Sequence, residues 1–509
     1  MNLKFLLTTL SLASSTMVVC AQTASSPASS APSSAEKTIQ EIKNPTPWLN
    51  WGGDIRLRNE YFNNALSLSD RVGLSSLFAP VHEQDYFRFR SRVWFSLFPT
   101  NEFTFNFRLS SEPREFMKPS TMNTYFKQSG MEPRYGIIDT LNVQLKKPMG
   151  IPATLTLGRQ DIMLGDGWLV GDGTPGDGSF TSFVDAARLT YQVEKNTTVD
   201  VIGLVEYGRP DAVLPTLGPS TDAGNSVAPF LLTDQNEKGA ILWVANKSVD
   251  AANVDGYFIY KHDNRLNDPP KSSFGDDADI YTIGGRLSGT PEAHVKYSAE
   301  GAYQFGRKKD PELNQGGVNP YLAASAETTG YRHMSAFGVN TKLTYLFKDR
   351  WNDRVSLSYE YLSGDDPGTG GDEMFDVLWG RWPRWSEMYN IYSYVAESRC
   401  GQTANIHRLG PTWLVSPTAA LEFSASYYAM WADQAAPTRD FYKAAFGPAS
   451  PTPFSGSGNY RGDYLQGTLK YKFNTHLSGH LWAEEMFPGN FYASRHAFTF
   501  LRAEVMLTF

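Results

Sequence analysis

Residues 86–98 read YFRFRSRVWFSLF. One side of this alternation carries Phe87, Phe89, Val93, Phe95 and Leu97, interrupted only by Ser91. The other side carries Tyr86, Arg88, Arg90, Arg92 and Trp94. A strand turns successive side chains to opposite faces, so the segment is an apolar wall backed by an arginine ladder. Its length suits a tilted membrane strand of roughly 9–11 residues with its ends. The aromatic outer face and the strongly cationic inner face together point away from an ordinary half-buried soluble strand.

At 509 residues the chain has room for several soluble domains or one large barrel. Aromatic residues make up 14 % and charged residues 19 %. Past the N-terminus there is no run of about 18 apolar residues, so no transmembrane helix is expected. Aromatic strands separated by polar turns fit an outer-membrane barrel, whose hydropathy signal is weak per strand. The competing reading is a soluble all-β protein such as a propeller. The formal net charge of −7 argues against nucleic acid as a partner.

The N-terminus has the pattern of a secretory signal peptide. Lys4 supplies the positive charge, residues 5–19 are largely apolar, and Val19-Cys20-Ala21 precedes a cleavage point. Residues 1–21 are therefore expected to leave, and Gln22 to begin the mature chain. Acylation of Cys20 is the alternative, but Met17-Val18-Val19 fits that signal poorly. With Cys20 gone, Cys400 is the remaining cysteine and no intrachain disulfide can form. Residues 22–47, rich in Ser, Ala and Pro, read as a flexible leader.

From Trp48 to Phe509 the pattern is alternation. About eighteen strands are expected, near 49–62, 86–98, 102–115, 136–147, 153–163, 182–193, 197–207, 237–246, 253–263, 279–288, 293–305, 334–347, 353–363, 404–416, 419–431, 460–473, 476–486 and 496–509. Connections alternate between short ones, such as Pro99–Asn101 and Asn474–Thr475, and long ones such as 208–236 and 364–403. Short periplasmic turns alternating with long external loops define an even-stranded outer-membrane barrel, with both strand ends on the periplasmic side. A propeller would repeat in four-strand blades, and no such repeat is present. In the last strand Leu501, Ala503, Val505, Leu507 and Phe509 are apolar at every second position. The fold class is thus an all-β transmembrane antiparallel barrel.

Assigning the apolar side of each strand to lipid fixes the lumen. A charge facing lipid at mid-depth would cost about 2–4 kcal/mol, so charged residues belong inside. Inward-facing residues are then Asp54, Arg56, Arg58, Glu60, Arg88, Arg90, Arg92, Arg108, Glu112, Arg188, Arg286, Lys296, Glu300, Lys342, Glu360, Arg408, Arg502 and Glu504. Arginines outnumber acids in this set. A basic ring selects anions, and guanidinium groups grip carboxylates bidentately. Each arginine has a bracing alternative, in which it pairs with an acid in the wall. The cluster at 88–92 has no acid on its own strand, which favours the anion path there.

Several segments together resemble the alginate-export family of outer-membrane porins. They are Leu157-Gly158-Arg159-Gln160-Asp161 with Leu164-Gly165-Asp166-Gly167, then FVDAARLTY at 183–191, YTIGGRLSG at 281–289 and EGAYQFG at 300–306. YEYLSGD at 359–365, WGRWPRW at 379–385 and Phe487-Pro488-Gly489 follow in order. The resemblance spans about residues 48–509 and implies a monomeric eighteen-stranded barrel with an anion-selective, arginine-rich lumen for a polyuronate. It also implies Arg159, Arg188, Arg286 and Glu300 as lumenal residues. Arg159 shares parity with Leu155 and Leu157, so a bulge at Gly158 is needed to turn it inward. Tyr464-Leu465-Gln466 stands where inward acids are expected, a departure that bears on the substrate.

Other chemistries have less support. No Ser/His or Asp/His constellation and no Gly-x-Ser-x-Gly marks an enzyme. GDGWLVGDGTPGDG at 165–178 and GDDPGTGGDE at 364–373 offer oxygens without EF-hand spacing, leaving Asp365 and Asp366 as weak calcium candidates. Turn chemistry explains such clusters equally well. An adhesin would need long repetitive loops. Arg381 and Arg384 lie in a segment long enough to fold inward and narrow the pore. The sequence therefore reads as an outer-membrane porin passing anionic saccharides by diffusion, with no cofactor. The alternative is a general or small-organic-anion porin. Expected partners are outer-membrane lipid, the anionic saccharide and periplasmic export proteins.

Overall fold

The computed structural model describes residues 34–64, 83–118, 136–171, 183–207, 236–249, 251–264, 277–309, 331–366, 368–380, 383–392, 404–435, 454–493 and 495–509. The expected signal peptide, Cys20, Cys400 and Arg381 lie outside them. Two units are distinguished, Met1–Pro45 and Thr46–Phe509. In the first, Ser34–Lys43 is an α-helix rather than the flexible leader expected. Gln40 Nε2 donates to Glu36 Oε1 across one turn at 3.2 Å, and Asn44 closes the last turn on Gln40 O. The Ser/Ala/Pro bias that signalled a leader ends before this helix, whose sequence is rich in strong helix formers.

The second unit is one closed sheet of antiparallel strands. In chain order these are β1 (Leu49–Asn63), β2 (Glu83–Leu97), β3 (Phe103–Ser111), β4 (Arg114–Lys118), β5 (Ile137–Lys146), β6 (Ala153–Asp161) and β7 (Phe183–Glu194). There follow β8 (Thr197–Glu206), β9 (Asn236–Asn246), β10 (Asn253–Asn264), β11 (Asp277–Glu292), β12 (Val295–Lys309) and β13 (Arg332–Leu346). The last are β14 (Arg354–Leu362), β15 (Ile406–Thr418), β16 (Leu421–Trp431), β17 (Tyr460–Lys472), β18 (Leu477–Pro488) and β19 (Phe498–Thr508). The expected strand at 102–115 is split at Glu112-Pro113 into β3 and β4. Both halves pair with β2 in one register, Ser91↔Ser111 and Arg88↔Arg114, so they form a single stave and the barrel has eighteen. Proline has no N–H to give the ladder, which breaks it there.

Each stave pairs with its sequence neighbour, and β1 closes on β19 from Asp54↔Thr508 to Asn63↔Thr499. Beyond that register Gly53 N donates to Phe509 O and Phe509 N to Gly53 O. A side chain at Gly53 would meet the Phe509 ring, so the seam needs glycine. Alternation behaves as the lipid assignment requires. Ile55, Leu57 and Val93 are outward and exposed, while Asp54, Arg56, Arg58 and Glu60 are buried inside.

The apolar core lies inside the barrel, toward the long-loop end. Wall residues Phe62, Tyr86 and Phe500 belong to it, together with Trp168, Phe375, Trp379 and Tyr389 from inward-folded segments. These segments, 162–171 and 363–392, meet in a parallel bridge at Val170↔Trp379, and the second bridges the wall at Met334↔Asp372. They fill the outer half of the lumen with hydrophobic side chains and leave the short-turn half open.

Candidate functional site

The arginine ladder finds acids on neighbouring staves. Arg56 Nη2 meets Glu112 at 2.5 Å, and Arg58 Nε donates to Glu504 at 2.7 Å. Arg88 reaches Glu60 at 3.1 Å and also pairs with Glu112. Arg90 donates to Asp54 at 3.1 Å and Arg92 to the same carboxylate at 2.7 Å. Arg502 bridges Glu60 and, at 3.0 Å, Glu387 of the inward segment. Arg56, Arg58, Arg88, Arg90 and Arg502 are all under 9 % exposed. Removing one partner from such a buried pair costs about 3–5 kcal/mol, because the other charge is left uncompensated. This corrects the anion-path reading of the 88–92 cluster: Arg88 and Arg90 brace the wall, and only Arg92 fronts open space.

The open half of the lumen holds two cavities. One, of about 770 Å³, is lined by Arg92, Arg108, Arg188 and Asp161 among Ser, Thr, Asn and Gln side chains. Its arginines stand in front of buried acids, and Arg108 also pairs at 3.0 Å with Asp161, which is itself 30 % exposed and lines the same cavity. The Arg92 side chain is 19 % exposed and Asp54 2 %. The same holds for Arg108 (18 %) over Asp139 (2 %), and for Arg188 (26 %) over Asp200 (9 %). Water in this cavity therefore meets guanidinium edges. The other cavity, of about 540 Å³, is lined by Arg286, Lys296, Lys342, Arg384 and Arg408 with Asp166, Glu300 and Glu360. Together the two walls present eight cations and four carboxylates.

The second cavity ends at the plug, and Glu360 fastens that end. Its carboxylate accepts Trp168 Nε1 and Trp385 Nε1, each at 3.1 Å, and Arg408 Nε at 3.2 Å. Arg408 lies 4.8 Å from the Trp385 ring and 4.4 Å from that of Tyr428, and its Nη1 has no acceptor. A short helix, Glu387–Tyr392, is capped from the wall. Glu484 accepts Ser386 Oγ at 2.8 Å and the backbone N–H groups of Glu387 and Met388 at 2.9 Å. A carboxylate here compensates the positive helix end and its free N–H groups. Tyr464 and Gln466, neutral where acids were expected, both donate to Trp385 O, at 3.2 and 2.8 Å. They hold the inward segment, and the acid of that row is Glu484, opposite Gln466.

Arg384 lines the cavity, packed against Gly167. A Cβ at Gly167 would lie 2.8 Å from the guanidinium, and φ is +74°, so only glycine suits that turn. Arg286 pairs with Asp166 at 2.7 Å and Asp255 at 3.1 Å, and Glu300 accepts Tyr257 Oη at 3.0 Å. Asp365 pairs with Arg332 at 3.0 Å, and Asp366 accepts Gly368 N at 2.8 Å, so both serve the turn. Beside that turn Gly364 N donates to Asp433. Burial opposes ionisation of Asp433, but the His407 ring and this N–H outweigh it and hold the carboxyl below its ordinary range. Among the described residues no group of three or more His, Cys, Asp or Glu is placed to hold a metal ion.

Arg159 departs from the expectation that a bulge turns it inward. The ladders on both sides of β6 run without a shift, Leu141↔Arg159 to Lys146↔Thr154 and Ala153↔Tyr191 to Asp161↔Phe183. Arg159 is 5 % exposed, against 38 % for Leu157, and lines neither cavity, whereas Gln160 and Asp161 after it both line the larger one. Asp185 holds it bidentately at 2.9 and 3.0 Å, and the Phe183 ring lies 4.4 Å away. Gly158 takes φ +114° without an inserted residue.

Sequence reasoning placed Glu360, Lys296 and Lys342 inward but gave them no role. It did not find Trp168, Trp385 or Glu484. The Trp168–Glu360 bond joins residues 192 apart, a separation that no local pattern encodes.

Eighteen antiparallel staves, apolar outside, charged and cavity-bearing inside, define a barrel of the outer-membrane porin type. The chain belongs to the alginate export family, whose model matches residues 48–503. Solved barrels share the fold. Pseudomonas aeruginosa OccK8 (OprE) aligns with TM-score 0.50 and 12 % identity over 90 % of this chain and 98 % of that one. Acinetobacter baumannii OccAB1 gives 0.50 and 11 % over 90 % and 96 %. Pseudomonas aeruginosa OccK2 (OpdF), in complex with glucuronate, gives 0.50 and 9 % over 90 % and 97 %. Among curated proteins no sequence matched the chain.

Proposed function

We propose that this barrel passes anionic saccharides of the uronate type across the outer membrane by diffusion. The observation that carries this reading is the charge balance of the two open cavities, eight cations against four carboxylates. Guanidinium and ammonium groups substitute for the water around each carboxylate, and several weak sites in series let the passenger leave again. Membership of the alginate export family supports a polymer as passenger. The small-organic-anion reading draws on the apolar plug, which leaves wide space only in the short-turn half. Serving as an outer-membrane channel also requires export to that membrane, for which residues 1–21 supply a cleavable signal.

The test is a planar-bilayer measurement in a salt gradient, followed by addition of a defined-length oligouronate and, separately, of glucuronate. The expected result is an anion-selective reversal potential, with block that strengthens as the oligouronate lengthens. Block by glucuronate of equal strength supports the small-anion reading. Cation selectivity without block by either sinks the proposal.

A further inference from the structure

The lipid-facing side of the barrel is not uniform at its long-loop end. On β10 to β12 the rings of Tyr260, Tyr281 and Phe305 stand side by side in one cross-strand row, with centroids 5.1 and 5.5 Å apart. A girdle of rings marks the edge of the apolar band that meets hydrocarbon. The next row toward the long loops is Lys238 on β9, then His262, Asp279 and Arg307, and His333 on β13. These residues share the outward parity of the exposed Leu242, Phe258, Ile283, Phe305 and Phe337. They therefore face the headgroup layer and not the lumen.

Asp279 assembles the middle of the row. Its Oδ1 accepts Tyr260 Oη at 2.8 Å and lies 2.7 Å from His262 Nδ1. Its Oδ2 accepts Arg307 Nε at 2.8 Å and Nη2 at 2.7 Å. The Arg307 guanidinium lies 4.8 Å from the centre of the Tyr331 ring, and its side chain is 58 % exposed. Lys238 and His333 are exposed and make no ion pair or hydrogen bond through their side chains among the described residues. Cations thus stand toward both ends of the row, with the acid between them. Adjacent strands are about 4.8 Å apart, so Lys238 and Arg307, three strands apart, are separated by about 14 Å.

Elsewhere the same boundary is acidic. At the long-loop ends of β2, β4, β17 and β18 the outward positions carry Glu83, Asp85, Glu115, Asp463 and Glu485, with Lys118 as the cation among the described residues there. The sector β9–β13 is therefore the part of this rim that complements an anionic headgroup. Guanidinium and ammonium groups at a membrane surface bind phosphate oxygens. A head with one phosphate engages one end of the row. A head with two engages both, and the second contact gains from effective concentration.

We propose that the outward face of β9–β13 seats an outer-leaflet lipid whose headgroup carries two phosphates, one on Lys238 and the other on Arg307 and His333. This rests on the barrel lying in an outer membrane and is independent of what its lumen passes.

The experiment is native mass spectrometry of the full barrel released from neutral detergent micelles that contain one lipid at a time. The lipids are a bis-phosphorylated disaccharide glycolipid, its mono-phosphorylated form, and phosphatidylglycerol. The bis-phosphorylated lipid is expected to be retained at an about tenfold lower concentration than either of the others. Lys238→Gln with Arg307→Gln should abolish that gap. Lys238→Arg with Arg307→Lys should preserve it, which separates loss of charge from local distortion. Lys118→Gln, on the acidic sector, should leave it unchanged. Reversal potential in a bilayer should be the same for all these variants, because none of the altered side chains lines either cavity. Equal retention of the three lipids, or a gap that survives the glutamines, overturns the proposal. Lipid-free dimers that disappear in the glutamine variant would put a second copy of the chain on this face and overturn it too.

Discussion

At the scale of the residue, Glu360 shows how one carboxylate can set the bore of a channel. Two indoles and a guanidinium converge on it, from both inward segments and from β15. Hydrogen bonds to a charged group each contribute about 1.5–3 kcal/mol. Glu360→Ala is expected to release the Trp168 and Trp385 contacts together, raising mean single-channel conductance and current noise. Unchanged conductance would mean the plug is held elsewhere. Arg58 makes the opposite case. Arg58→Ala should cost up to about 3–5 kcal/mol by taking from buried Glu504 its closest cation, Glu60 keeping Arg88 and Arg502; it is read as a lower urea midpoint in detergent, with little change in reversal potential. Alternation made the inward position of both residues legible, because a single wrong parity would put a charge in lipid. Which acid each arginine takes was not legible. The partners come from staves as far apart in sequence as β1 and β19, and only the closed register brings them together.

At the scale of the element, strands were readable and exceptions to them were not. The period of two extends through nearly every stave because one face meets lipid and the other water. Pro113 breaks the third strand, expected as continuous over 102–115, yet its partner register continues, and a sequence cannot show whether a broken ladder also shifts. Gly158 misled in a related way. Its φ is +114°, but no residue is inserted, and Arg159 is buried against Asp185 rather than presented to either cavity. A Cβ at this position would lie 2.3 Å from Leu141 O. Gly158→Val is therefore expected to destabilise the β5–β6 pairing by about 1–3 kcal/mol or more, measured as a lowered unfolding midpoint. A normal midpoint would show that the ladder there yields easily. The two α-helices among the described residues, Ser34–Lys43 and Glu387–Tyr392, escaped notice because ten and six residues are too few to establish a period against their surroundings.

At the scale of the whole molecule, the barrel divides its charges by task. One wall, around β1, β2 and β19, holds arginines in a buried network with carboxylates. On β3, β7, β12 and β13, Arg108, Arg188, Lys296 and Lys342 instead face the open cavities. The sequence could count cations on the inner wall but not their compensation, since pairing depends on side chains across the lumen and on segments folded into it. Arg188→Glu is accordingly expected to move the reversal potential toward cations more than Arg90→Glu does. The first side chain is 26 % exposed and the second 3 %. Equal shifts would mean that ions feel the wall as a uniform charge.

The seam between Gly53 and Phe509 has a consequence for biogenesis. Every other contact between staves joins neighbours in the chain and can form as they are made. The contact between β1 and β19 joins residues whose numbers differ by more than 430, from Asp54↔Thr508 to Asn63↔Thr499. Until the last stave arrives, the sheet has two raw edges of unpaired N–H and C=O groups, which neither lipid nor the sheet itself can satisfy. A growing barrel of this kind is thus a template for its neighbours, and something must shelter those edges. The last strand of the chain acts as the clasp that makes shelter unnecessary.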